Sequence, residues 1–143
     1  MDGVILTPLK IIPHPQGDVL HAIKSSEPGF AGFGEAYFST VKNREIKAWK
    51  RHKRMTLNLV VPSGCIKFVL YDDRRNSSTY GNFFEVILSK HNYMRLTVPS
   101  GIWSGFQGLD TNLNLLLNIA NIEHDPTEAD SAAIDEIAYD WGL

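Results

Sequence analysis

A single cysteine, Cys65, stands in this chain, so no internal disulfide can form and a reducing compartment is expected. Its thiol opens an apolar run just after the Gly64 turn and is expected to be buried and inert. No apolar stretch approaches the ~20 residues that a membrane helix needs. The opening Met1-Asp2-Gly3-Val4 lacks the basic segment and apolar core of a signal peptide, so a cytoplasmic protein without membrane contact is expected. Net charge is also scarce. A formal −2 argues against general affinity for nucleic acid. No Walker-type glycine loop, dinucleotide fingerprint, nucleophile elbow or zinc-ligand cluster occurs, and His14, His21 and His91 are scattered without ligand spacing. Repeats and low-complexity linkers are absent too, which leaves one domain over residues 1–143, long enough to bury a sizeable core.

What the chain does have is a series of short alternating segments cut by turns. Asn58 to Val61 is apolar and ends at Pro62-Ser63-Gly64. Cys65 to Tyr71 places Ile66, Phe68 and Leu70 on one face and Lys67 on the other, the period of two of a half-buried strand. Phe83 to Leu88 and Tyr93 to Val98 are further β-type runs, and Leu113 to Ala120 fits a central strand in so regular a series. The segment before Gly34 carries Pro8, Pro13, Pro15 and Pro28 and is expected to form a strand and loops. Thr127 to Ile137 is the one helix candidate. Asp125 or Thr127 can cap it, Pro126 suits a first turn, and Glu128 and Asp130 suit the positive end of the helix dipole. Many short antiparallel strands with glycine and proline turns predict a double-sheet jelly roll closed by a short C-terminal helix.

Several landmarks recur in one order: Phe38-Ser39; Lys47-Ala48-Trp49-Lys50-Arg51-His52; the Gly64 turn with Asp72-Asp73-Arg74; Val98 to Phe106; His124-Asp125-Pro126; and Tyr139-Asp140-Trp141. Together, over roughly Phe38 to Trp141, they resemble the dTDP-4-dehydrorhamnose 3,5-epimerase family, the sugar-nucleotide epimerase and ketoisomerase branch of the cupins. The resemblance implies an all-β cupin fold (a double-stranded β-helix), a homodimer, and a barrel pocket for a nucleotide-linked 4-keto-6-deoxy sugar. It implies a reaction without cofactor: a base removes the proton beside the ketone, an acid returns one from the other face, and the enolate oxygen is stabilised as it forms.

By the same resemblance the family's catalytic His position falls on Lys50, with His52 two residues on and on the same strand face. A second pocket His falls on Ser104, and the acid Tyr on or near Asn118. The carboxylate that would orient the base cannot be placed by spacing. His52, aided by Lys50, is the candidate base, since histidine titrates near neutral pH. Lys47, Arg51 and Arg74 are candidate contacts for the diphosphate, Trp103 for a base or sugar ring, and Ser104 and Asn118 for sugar oxygens. Tyr37, Tyr71 and Tyr93 are phenols that could replace the missing acid, with nothing in the spacing to choose among them. A cupin metal site is not expected, because two of its His ligands are replaced. The expected function is epimerisation or isomerisation of a dTDP-4-keto-6-deoxyhexose for cell-surface polysaccharide. The alternative is an altered cupin that binds a nucleotide sugar or a pathway partner without turnover.

Overall fold

The computed structural model describes residues 1–143. Twelve strands follow in chain order: Ile5–Pro8 (β1), Ile11–Ile12 (β2), Val19–Leu20 (β3), Glu35–Thr40 (β4), Ile46–His52 (β5), Leu57–Ser63 (β6), Cys65–Tyr71 (β7), Phe83–Ser89 (β8), Met94–Val98 (β9), Trp103–Gly108 (β10), Leu115–Ala120 (β11) and Ala129–Ser131 (β12). They form two five-stranded antiparallel sheets, ordered β1-β9-β6-β11-β4 and β12-β5-β10-β7-β8, and a small β2–β3 hairpin. This is the cupin jelly roll.

Alternation decides what each face buries. Leu57, Leu59 and Val61 from β6, Ile66, Phe68 and Leu70 from β7, and Leu96, Val98 and Leu116 belong to one core between the sheets. The opposite face of β6 and β9 is polar yet buried, because the N-terminal segment is strapped over it. Arg95, fully buried, donates to the Ala22 and Pro28 carbonyls at 2.9 Å each and to Asn58 Oδ1 at 3.1 Å. Each of its three nitrogens finds an acceptor there, which is the condition for burying a guanidinium at all. The outer face of the second sheet buries Trp49, Val69, Trp103 and Trp141 as a separate cluster.

The expected strands from Asn58 to Ala120 are present, with Leu115–Ala120 in an interior position of its sheet. The expected helix over Thr127–Ile137 is corrected: two short 3-10 turns, Pro126–Glu128 and Ile134–Glu136, flank β12. Asp125 does cap the first turn, accepting from the Thr127 amide at 2.9 Å. The helix stops after that turn because β5 offers an open edge: Ala129, Asp130 and Ser131 pair with His52, Arg51 and Lys50. Cys65 is half-buried rather than buried, and burial followed by the charge of Asp110 pushes its thiol pKa up.

Candidate functional site

Between the sheets opens a cavity of about 500 Å³, lined from β5 by Lys47, Ala48, Trp49, Lys50 and His52. A perfect strand could not aim both Lys47 and Lys50 into it, since they differ by three positions. A bulge resolves this. Ser104 of β10 pairs with Lys50, but the next residue, Gly105, pairs with Ala48, so Trp49 is the extra residue. Before the bulge the odd position, Lys47, faces inward, with its ammonium 6.0 Å from the Phe106 ring and donating to the Thr40 carbonyl at 2.7 Å. After it the even positions, Lys50 and His52, face inward. Gly105 is needed at this point. A Cβ there would sit 2.7 Å from that of Ala48 and 3.2 Å from the Trp141 ring.

His52 is held from behind. Its Nδ1 is hydrogen-bonded to Glu128 Oε1, while Oε2 of the same carboxylate accepts the Arg54 and Met55 amides at 3.1 and 3.2 Å. Burial alone would push the Glu128 carboxyl up, but the bond to His52 and the two amides outweigh it and hold the group below its usual value. Glu128 is therefore a carboxylate and acceptor-only. The proton between the two belongs on Nδ1, which leaves Nε2, free of any hydrogen bond, as the basic nitrogen of a ring that lines the cavity. Sequence reasoning missed Glu128, and read it as a helix-dipole residue.

The facing wall is the other sheet. Asn118 on β11 and Tyr37 and Ser39 on β4 line the cavity, with Leu57, Leu59 and Leu116 as its apolar floor. Asn118 and Tyr37 are direct register partners across the strand pair. The Asn118 amide nitrogen donates to Ser39 Oγ at 3.1 Å and its oxygen accepts no hydrogen bond. Ser104 also lines the cavity and donates to the Lys50 carbonyl at 3.3 Å. The Lys50 side chain makes no ion pair or hydrogen bond within the chain. Five of the eight expected site residues thus come together: Lys47, Lys50, His52, Ser104 and Asn118.

The other three lie outside the cavity lining and are bound to other parts of the chain. Arg51 points to the outer face, bound to Asp130 at 2.9 Å and to Asp73 at 3.1 Å, with its guanidinium 4.5 Å from the Trp103 ring. Trp103 is buried and donates Nε1 to Asp73 at 2.9 Å. Arg74 is locked on fully buried Asp72, and donates to the Asp2 carbonyl as well. All three are committed to protein partners. Of the spare phenols, Tyr93 donates to the His21 carbonyl at 2.7 Å and Tyr71 stacks on Phe83, both away from the cavity. Tyr37 alone faces it. No group of three or more His, Cys, Asp or Glu side chains is placed to hold a metal ion, and no helix is long and apolar enough to cross a membrane.

Residues 44–142 match the family model of dTDP-4-dehydrorhamnose 3,5-epimerase. The chain is 31% identical over 106 residues to the "probable low-salt glycan biosynthesis epimerase Agl13" of Haloferax volcanii, covering 73% of this chain and 66% of that protein, just under two thirds of its length. It is 25% identical over 145 residues to the spore coat polysaccharide biosynthesis protein SpsL of Bacillus subtilis, covering 99% and 96% of the two chains. Its fold superposes on a dTDP sugar isomerase from Desulfovibrio desulfuricans with a TM-score of 0.95 and 40% identity, covering 99% of this chain and 93% of that one. For the Legionella pneumophila epimerase RmlC, in complex with dTDP-4-keto-L-rhamnose, the TM-score is 0.86 at 21% identity, with 100% and 80% covered, a likeness of fold alone.

Proposed function

The chain belongs to the dTDP-4-dehydrorhamnose 3,5-epimerase family, and from that membership we propose that it epimerises or isomerises a dTDP-linked 4-keto-6-deoxyhexose with His52 as the base. It is a sugar-nucleotide epimerase of polysaccharide biosynthesis. The observation that carries the assignment of the base is the Glu128–His52 pair, which fixes the ring and its tautomer at the cavity wall. A proton beside a ketone leaves only to a base already oriented toward it, so a held imidazole answers the first demand of the reaction.

The remaining demands map onto the other cavity groups. Lys47 and Lys50 are the cations that face inward, while Glu128, the carboxylate of the site, is spent on His52 and two amides. That imbalance suits an anionic ligand, and the two lysines take the role in binding the diphosphate that Arg51 and Arg74 cannot. Lys50, next to His52 on the inward face, also supplies positive charge where the enolate oxygen develops. Ser104 and the free oxygen of Asn118 contact sugar hydroxyls. Phe106 and Leu116 give the ring and its 6-methyl an apolar wall.

The same reading includes one domain and a homodimer. Strand β4 is the edge of its sheet, with its outer side unpaired, and turns Phe38, 63% exposed, outward beside the cavity. Light scattering that returns only the 16.1 kDa monomer mass would remove the dimer from the proposal.

Proton NMR with dTDP-4-keto-6-deoxyglucose in deuterated buffer tests the reaction. Deuterium is expected to enter beside the ketone faster than in a protein-free control, and His52→Ala is expected to abolish the excess. Binding without exchange would instead mark a cupin that holds the nucleotide sugar and leaves it unchanged.

A further inference from the structure

We infer that Tyr37 is the acid that returns the proton, a phenol carried on β4 directly across from Asn118. The inference rests on the reading of His52 as the base. The resemblance puts the acid tyrosine on the strand that here is β11, on or near Asn118, and this strand holds no tyrosine, while the Asn118 amide has no proton acidic enough to give. The register restores what the sequence removes. Asn118 pairs with Tyr37, so the two side chains leave the same face of the sheet, and both line the cavity.

Two further observations place the phenol for this work. Along β4 the inward positions are odd: Tyr37 and Ser39 line the cavity while Phe38 points out and is 63% exposed. The two sheets are the two walls, so His52 on β5 and Tyr37 on β4 approach a bound sugar from opposite sides. Inversion at a carbon needs this arrangement. Burial, and then the charge of Glu35, pushes the Tyr37 phenol above its ordinary value, so it holds its proton at neutral pH until a carbanion takes it.

The step balances. His52 Nε2 takes the proton beside the ketone, the C–H electron pair moves into the enolate, and the oxygen bears the charge. The enolate carbon then forms a bond to the Tyr37 hydroxyl proton on its other face, the carbonyl re-forms, and the O–H pair stays on the phenolate. Proton exchange of imidazolium and phenolate with solvent resets both groups.

The test is Tyr37→Phe in the full chain, with dTDP-4-keto-6-deoxyglucose as probe and two readouts. His52-dependent deuterium entry beside the ketone is expected to persist, because abstraction does not need the phenol. Formation of the inverted sugar is expected to fall about 100-fold or more. Product formation at the wild-type rate would overturn the assignment, and so would loss of exchange together with product in a variant of unchanged Tm. If the wild-type chain neither exchanges nor inverts the probe, the reading of His52 falls and this one with it. The exchange readout on wild type keeps the two failures apart.

Discussion

Glu128 grips His52 at Nδ1 from a turn whose next residue, Ala129, pairs directly with His52 across the sheet edge. The carboxylate is fixed by the chain that delivers it and by the Arg54 and Met55 amides, so the ring is oriented before any ligand arrives. Glu128→Gln tests what that grip does. The amide oxygen can still accept both backbone N–H groups, but the amide nitrogen must donate to Nδ1, which drives the ring proton to Nε2. The base becomes a donor. Turnover is expected to fall on the order of 10²–10⁴-fold, with the affinity for dTDP unchanged. Wild-type turnover in this variant, measured by NMR, would show that the tautomer is not set by Glu128.

The cations of β5 divide by face, and the division has a consequence for binding. Lys47→Ala and Lys50→Ala are each expected to weaken dTDP binding by about tenfold, the worth of one partly exposed charge-assisted contact. Arg51→Ala is expected to leave the affinity intact and to lower Tm, because it frees Asp73 and Asp130 and uncovers Trp103. Isothermal titration with dTDP checks the first pair and a thermal melt the second. An Arg51→Ala variant that melts normally but binds dTDP poorly would reverse the division.

Much of this site was legible in the sequence, and the parts that were not share a cause. Alternation along one strand set Lys50 and His52 on a common face and, read strictly, set Arg51 against them. What no single strand reveals is its neighbour's register. Glu128 lies 76 residues from His52 and sits in an Asp-Pro-Thr-Glu run that reads as a helix start. The capping signals were real and are used, but the open edge of β5 takes the chain after three residues. Tyr37 was one phenol among three until the β4–β11 pairing set it opposite Asn118. Lys47 faces inward only because of a bulge, and bulges come from packing of two strands, here Gly105 against Ala48 under Trp141.

Acid should loosen the fold as the contributions of two paired carboxylates, Asp72 and Glu128, are lost. Arg74 is the main reason the Asp72 carboxyl sits far below its usual value; burial opposes it, and the Ser77 and Thr79 hydroxyls and the Arg74 amide reinforce it. Glu128, also held low, has the same sign. A carboxyl whose folded pKa lies below its unfolded one contributes stability that is fully present above the unfolded value, ~4 for these groups, and is lost as pH falls through the folded value. Asp72→Asn is therefore expected to cost about 2–4 kcal/mol at pH 7, since it leaves Arg74 facing a neutral partner in the crossing from β7 to β8. Below about pH 4 the wild-type protein begins to lose the same contribution, so the gap between the two stability curves should narrow toward pH 3. Urea unfolding of both proteins from pH 7 to pH 3 measures the gap. A gap that stays constant over that range would mean that Asp72 acts through its shape and backbone turn, with its charge contributing nothing to the fold.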